Sequence, residues 1–174
     1  MSPAEVRATE STRARRTHDY RVTIRWTGDL GHGTREYAGY SRDHTAEVEG
    51  RPTLRLTSGL SPRSDPSRLN PDDLLVAAIA SCHMLWYLHL CSTSGVVVSG
   101  YVDHAEATLE LDPDGGGRFT QATLRPEVTV REGSLETARR LHAAAHEKCF
   151  IASSLNFPIR CVPEIRSEDG SVPE

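Results

Sequence analysis

Residues 70–91 have the sequence NPDDLLVAAIASCHMLWYLHLC, which predicts one long apolar helix at the centre of the fold. Asn70 is a preferred N-cap residue, and Pro71 suits the first helical position. The two aspartates that follow complement the positive end of the helix dipole. We therefore expect a helix that begins after Asn70 and ends near Gly95.

The apolar part of this helix, residues 74–91, is long enough to raise the question of a membrane span. Ser81, His83 and His89 interrupt it, and no Lys or Arg lies at either end to anchor it at a lipid interface. In a small protein, a helix that is apolar on nearly all sides is typical of a buried central helix. We therefore expect a soluble protein without a membrane partner.

The composition is that of an ordinary globular domain. Hydrophobic residues make up 37% of the 174 residues and charged residues 25%, which argues against a disordered chain. The net charge of −4 gives no general attraction to nucleic acid, so none is expected as a partner. We predict one domain over residues 18–168, with tails at 1–17 and 169–174.

The cysteines indicate a reducing compartment. No apolar signal-peptide core follows Met1, so we expect a cytoplasmic protein. The chain has four cysteines without CxxC spacing, namely Cys82, Cys91, Cys149 and Cys161. In an unexported chain of this size they are expected to be thiols rather than a disulfide framework.

Segments with the patterns of strands lie on both sides of the central helix. In order, they are residues 20–26, 35–40, 54–56, 102–111, 118–130 and 159–165. Turns are predicted at residues 28–34 and 112–117, and Ser134 is predicted to cap a second helix that reaches Cys149. Pro158 and Pro163 suggest that the last strand is an edge strand or is bent. The fold class is α+β.

Cys82 is the strongest candidate for chemistry. It lies between Ser81 and His83 in the most buried helix, where each unpaired polar group costs about 1–3 kcal/mol. Cys91 and Cys161 carry no such signal and are interpreted as small core residues. Cys149 lies at the C-terminal end of its helix, where the dipole disfavours a thiolate. If the pair is functional, Cys82 is the attacking thiol and Cys149 the resolving one.

A metal site is an alternative. His142, His146 and Cys149 occupy one face of the second helix and are ligand types that zinc accepts, with Cys82 or His83 as a fourth ligand. Histidines at this spacing are common by chance on helix surfaces. The favoured interpretation therefore includes no metal and no cofactor.

Two motifs resemble those of a known family. The segment NPDDL at residues 70–74, followed by Cys82, resembles the NPExL…C segment of the OsmC/Ohr family of organic hydroperoxide reductases. The segment AHEKC at residues 145–149 resembles the family's second motif, AHxxC. The element order from about residue 18 to 166 is compatible with this family. The segments SCHM at 81–84 and CFIA at 149–152 are closer to a less characterised OsmC-like branch than to Ohr itself.

The resemblance implies an intertwined homodimer in which a curved antiparallel sheet from each chain wraps long central helices. It implies reduction of an organic hydroperoxide to its alcohol at sites on the subunit interface. Cys82 would then be the peroxidatic cysteine, which becomes a sulfenic acid and condenses with Cys149 to a disulfide. A dithiol reductant would restore the pair by exchange.

The family also uses a Glu in NPE, paired with an arginine that holds the thiolate. Asp72 stands at the Glu position, where it either acts across a dimer interface or only complements the helix start. Gly33-Thr34-Arg35 resembles the family's GGR turn, so Arg35 is the first candidate for the arginine and Arg42 the second. Arg63 and Arg68, in the loop before the helix, are further candidates for the arginine, and Glu147, His83 and His146 are possible site residues.

A second hypothesis is that the protein has the same fold but binds a ligand instead of turning over peroxide efficiently. Met84, Trp86 and Tyr87 surround Cys82 in the sequence and would suit a pocket for a small apolar or electrophilic ligand. The protein would then be an OsmC-like binding protein of the stress response without efficient peroxide turnover.

Overall fold

The computed structural model describes residues 16–61 and 64–170. The predicted tails therefore lie largely outside the described residues, as does Arg63. The chain forms two compact units, the first ending at Arg55 and the second beginning at Leu56.

The first unit is built on a small sheet. Strand β1, Thr23–Trp26, pairs antiparallel with β2, His44–Glu47, and the short strand β3, Leu54–Leu56, is the third member. The predicted strand at residues 20–26 is thus shorter than expected, and its residues are exposed rather than half-buried.

The strand predicted at residues 35–40 does not form. These residues are a series of turns and bends, and the next strand begins at His44. In the preceding turn, the carboxylate of Asp29 accepts hydrogen bonds from the backbone N–H groups of Gly31 and Gly33 at 2.8 and 2.9 Å. Within the predicted strand, the Gly39 N–H donates to the Glu36 carbonyl at 2.8 Å, which closes a turn where a strand needs extended residues.

Helix α1, Pro71–Thr93, opens the main part of the second unit and confirms the predicted start. The side-chain oxygen of Asn70 accepts hydrogen bonds from the backbone N–H groups of Asp72 and Asp73, and the Asp73 carboxylate accepts one from the Asn70 N–H. This capping box satisfies N–H groups that have no partner inside the helix. The helix ends at the Ser94 cap, just before Gly95.

Helix α1 is less enclosed than expected. It is long and apolar enough, by length and composition, to cross a membrane. Its buried residues, however, face the protein core and are Ile79, Cys82, His83, Tyr87 and Cys91. Leu85 is 63% exposed, so one apolar face of α1 is left uncovered by the residues that the structure describes.

The strands that follow α1 are shorter and more numerous than predicted. They are β4, Val97–Asp103; β5, Glu106–Leu111; β6, Gly117–Leu124; β7, Pro126–Glu132; β8, Ile159–Cys161; and β9, Glu164–Ser167. Each long predicted strand is divided in two. Pro163, which lacks an N–H donor, lies in the break between β8 and β9. At the break before β7, the Arg125 N–H turns to the carboxylate of Asp103 at 2.8 Å.

These strands form two sheets with the orders β4-β7-β9 and β5-β6-β8. The β4–β7 and β5–β6 pairs are antiparallel, as predicted, whereas the edge strands β8 and β9 join them in parallel. Helix α2, Leu135–Lys148, lies between β7 and β8 in the chain and packs against α1. Its N-cap is Ser134, as predicted, and its buried residues are Ala138, His142 and Ala145. The fold is α+β.

Candidate functional site

The thiol of Cys82 lies close enough to that of Cys149 to act on its pKa as a hydrogen-bonding neighbour. Cys82 lies in the middle of α1, and Cys149 is the C-cap residue of α2, so the packing of the two helices brings the thiols together. Both cysteines are unbridged and buried, with Cys82 7% exposed and Cys149 0% exposed. The two cysteines singled out in the sequence therefore lie side by side.

The electrostatic surroundings of Cys149 keep it protonated. Burial raises the pKa of the Cys149 thiol to about 11, and its hydrogen bond with Cys82 acts in the same direction. The backbone N–H of Ala152, 3.5 Å from the Cys149 sulfur, opposes this shift but does not cancel it. At neutral pH, Cys149 is a neutral thiol.

A cavity of about 490 Å³ opens beside Cys82. Its apolar lining comes from one face of α1 and from the segment that follows α2, and consists of Ala78, Leu85, Trp86, Phe150 and Ile151. Ser81 and His89 add polar atoms to this lining. The Lys148 ammonium lies 5.8 Å from the centre of the Trp86 ring, so a cation lies close to one wall of the cavity.

The metal set predicted from α2 is not assembled. Cys149 lies near Cys82, whereas His142 turns into the core and meets His83 from α1, with its Nδ1 3.0 Å from the His83 Nε2. His142 and Cys149 therefore have different surroundings. Cys149 caps α2 after its last turn, whereas the ring of His142 stacks on that of Tyr87 at 3.8 Å. His146 is half-buried and lies near enough to His83 to lower its pKa.

Cys161 is the residue that the sequence analysis missed. Its sulfur lies 3.6 Å from the His83 Nε2 and 3.7 Å from the His142 Nδ1. No local pattern pointed to it, because its neighbours belong to elements that are distant in sequence. The buried polar pair His83 and His142 was the available signal, since histidines in a core need partners.

The two candidate carboxylates lie on the helices of the second unit. Asp72 is in the first turn of α1, ten residues before Cys82 and therefore about 15 Å away along the helix axis. Glu147 is exposed in the last turn of α2. Asp72 thus lies too far along the helix to contact the Cys82 of its own chain.

The two candidate arginines lie in the first unit and differ in their surroundings. Arg35 is exposed in the turn-rich segment. The guanidinium of Arg42 lies 4.4 Å from the Tyr37 ring centre and 4.0 Å from that of Tyr40, and its Nη1 donates to the Tyr40 carbonyl at 2.8 Å. Its Nη2 is buried and has no hydrogen-bond partner among the described residues. Of the other arginines, Arg68 pairs with Asp65 at 2.9 Å.

Solved structures with this fold come from several bacteria. An OsmC-like protein of unknown function from Vibrio cholerae is 27% identical, with a TM-score of 0.76 over 84% of this chain and 99% of its own. An organic hydroperoxide resistance protein from Elizabethkingia anophelis is 13% identical, with a TM-score of 0.60 over 88% of this chain and 100% of its own. The organic hydroperoxide resistance protein of Bacillus subtilis is 18% identical, with a TM-score of 0.55 over 84% of this chain and 96% of its own.

At the level of sequence, no curated protein matches the chain. The model of the OsmC-like protein family matches residues 64–164, which include α1, α2 and both cysteines of the thiol pair. This match covers more than half of the chain, and the solved structures share its architecture. The chain therefore belongs to the OsmC-like protein family.

Proposed function

We propose that this protein is a thiol-dependent peroxidase that reduces organic hydroperoxides to alcohols through Cys82 and Cys149. The observation that carries the proposal is the proximity of the two thiols at the wall of an apolar cavity. Two neighbouring thiols support both steps of such a reaction, because the oxidised cysteine needs a second thiol nearby.

In the first step, the Cys82 thiolate attacks the outer oxygen of the hydroperoxide and the O–O bond breaks. The sulfur is oxidised to a sulfenic acid, and the alkoxide leaves and takes up a proton to become the alcohol. In the second step, the Cys149 thiol attacks the sulfenic sulfur, water leaves, and a disulfide forms. A dithiol reductant then restores both thiols by exchange and is itself oxidised.

The environments of the two cysteines favour this division of roles. Cys82 lines the cavity, so a bound substrate meets its sulfur. Cys149 is fully buried, and its raised pKa keeps it protonated. It is therefore assigned as the thiol that condenses with the sulfenic acid. The assignment agrees with the helix-dipole argument for Cys149.

The cavity favours an organic hydroperoxide with an apolar body. Trp86, Phe150 and Leu85 offer ring and alkyl surface, which contributes to binding in proportion to the apolar area that leaves water. Hydrogen peroxide has no such area. We therefore propose alkyl and aryl hydroperoxides as the substrate class.

A thiolate among these apolar side chains needs a cation to stabilise its charge. Of the two candidate arginines, we propose Arg42 for this role. Its position between two tyrosine rings fixes the guanidinium, and one of its nitrogens still lacks a hydrogen-bond partner in the described chain. Arg35 remains the alternative. Asp72, distant from Cys82 in its own chain, is proposed to act from the second subunit of a dimer.

The uncovered face of α1 supports the homodimer. Leu85 and Phe150 are 63% and 61% exposed and lie at the same cavity as Cys82. A second copy of the chain would cover this apolar surface and complete the site. We propose a cytoplasmic homodimer, in which the reducing environment regenerates the thiols.

The direct test is turnover of cumene hydroperoxide by the reduced protein with a dithiol such as dithiothreitol. We expect catalytic loss of cumene hydroperoxide, with a second-order rate constant well above that for hydrogen peroxide. Binding of cumyl alcohol without consumption of the hydroperoxide would instead favour the ligand-binding hypothesis.

A further inference from the structure

Three side chains with metal-ligating atoms meet in the core of the second unit, apart from the Cys82–Cys149 pair. They are His83 from α1, His142 from α2 and Cys161 from β8. The two ring nitrogens are 3.0 Å apart, and the sulfur lies 3.6 and 3.7 Å from them.

The cluster is enclosed and held in place. His83 is 1% exposed and His142 3%, and Cys161 is half-buried beside them. The Tyr87 ring stacks on the His142 ring at 3.8 Å and 13°, which fixes its plane. Although His83 follows Cys82 in the chain, neighbouring helix residues point about 100° apart, so the two face different surroundings.

We propose that His83, His142 and Cys161 form a binding site for one zinc ion. In a tetrahedral zinc site, Zn–N bonds of about 2.0–2.1 Å and Zn–S bonds of about 2.3 Å place two nitrogens about 3.3 Å apart and a nitrogen and a sulfur about 3.6 Å apart. The observed separations differ from these by less than about 0.4 Å. Two imidazoles and one thiolate also form a donor set that zinc prefers to magnesium or calcium.

Zinc binding rearranges the hydrogens of the three ligands without electron transfer. In the metal-free protein, the contact between the two histidines needs a hydrogen on one of the facing nitrogens. Zinc takes the place of that hydrogen, which moves to the other nitrogen of its own ring, so that both imidazoles stay neutral. Each facing nitrogen then gives a lone pair to zinc, with the ring hydrogens on His83 Nδ1 and His142 Nε2. Cys161 binds as a thiolate and releases its proton. No electron is transferred, because zinc does not change its oxidation state.

A nearby carboxylate offsets the remaining charge. Zinc with one thiolate carries one positive charge, and Asp103 lies close enough to Cys161 to act on its thiol electrostatically. The Oδ2 atom of Asp103 is buried and has no hydrogen-bond partner among the described residues. The described residues supply three ligands, so the fourth position would belong to water or a small molecule.

The experiment must separate this site from the Cys82–Cys149 thiols, which also attract soft metals. The full chain, reduced and freed of metal, is titrated with zinc in competition with a chromophoric chelator. We expect one zinc per chain. The variant C82S/C149S should retain this binding, and Cys161→Ala should lose it by more than about a hundredfold, since changes outside the ligand shell already cost about 10–100-fold.

Cobalt titration gives a second measurement that does not depend on the Cys161 variant. In the variant C82A/C91A/C149A, Cys161 is the remaining cysteine, and a cobalt–thiolate charge-transfer band should appear with one equivalent of cobalt. The absence of that band in this folded variant would overturn the proposal. So would zinc binding that survives Cys161→Ala but disappears in C82S/C149S. Neither result depends on peroxidase activity, so the zinc site is tested independently of the proposed function.

Discussion

The thiol of Cys82, in the middle of α1, lies close enough to the buried thiol of Cys149, at the C-terminus of α2, to raise its pKa. A disulfide between them requires Cα atoms about 4.4–6.8 Å apart. The cavity beside Cys82 gives a hydroperoxide access to one sulfur, while burial holds the other in its protonated form.

The two cysteines should give different phenotypes on substitution. Cys82→Ser should abolish hydroperoxide consumption, because no other nucleophile is proposed. Cys149→Ser should react once and stop as a sulfenic acid, which dimedone labelling and mass spectrometry detect. Cys91→Ser, a buried cysteine of the same helix that does not line the cavity, is the matched control and should keep turning over. The opposite pattern in the first two variants would reverse the roles.

The arginine that stabilises the thiolate should be revealed by kinetics. Replacing Arg42 by Met removes the charge and should slow the reaction with cumene hydroperoxide by about tenfold or more, the effect of losing about 1.4 kcal/mol of thiolate stabilisation. Stopped-flow measurement from pH 5 to 9 should show the rate rising at higher pH in the variant. Arg35→Met serves as the comparison. Equal pH–rate profiles in the wild type and both variants would exclude both arginines.

Local sequence signals predicted the two helices and the cysteine pair. Asn70 and Ser134 are caps that act within a few residues of themselves, so the starts of α1 and α2 were predictable. Cys82 and Cys149 were found through polar neighbours and family motifs, and they lie near each other in the structure.

Longer-range features were not predictable from local patterns. The strand predicted at residues 35–40 is replaced by turns, one of them closed by the hydrogen bond from the Gly39 N–H to the Glu36 carbonyl. The contact of Cys161 with His83 requires β8 to pair in parallel with β6, and alternation within one strand does not encode this. Residue spacing on α2 instead favoured His146 and Cys149 as partners of His142.

The protein should be a dimer with α1 at its interface. Leu85→Asp places a charge on the uncovered apolar face and should shift the protein toward monomer in sedimentation equilibrium at micromolar concentration. Leu111→Asp, at a similarly exposed leucine at the end of β5, should leave the assembly unchanged. A wild-type mass equal to that of the 19.2 kDa chain would contradict the dimer.

Stability should fall in mild acid because of the buried histidines. Burial lowers the pKa of His83 to about 4, with a smaller contribution from His146, and lowers the pKa of His142 to about 3, with smaller contributions from His83 and then Arg139. Below the unfolded value of about 6.5, the unfolded chain binds protons that the folded chain does not, so the free energy of unfolding decreases as the pH falls from about 6.5 to about 4.

Urea unfolding of the protein in the presence of a chelator measures this dependence. His142→Gln should flatten the pH dependence between pH 6.5 and 4, whereas His89→Gln, at an exposed histidine of α1, should not. The same slope in both variants would show that other groups cause the acid sensitivity.

The most direct test of the account is the fate of the thiols after a single oxidation. Fully reduced protein is mixed anaerobically with one equivalent of cumene hydroperoxide, quenched with an alkylating agent, and mapped by peptide mass spectrometry. The account predicts a disulfide between Cys82 and Cys149, with Cys91 and Cys161 alkylated. Four alkylated cysteines with the hydroperoxide unconsumed, or a disulfide that excludes Cys82, would contradict it.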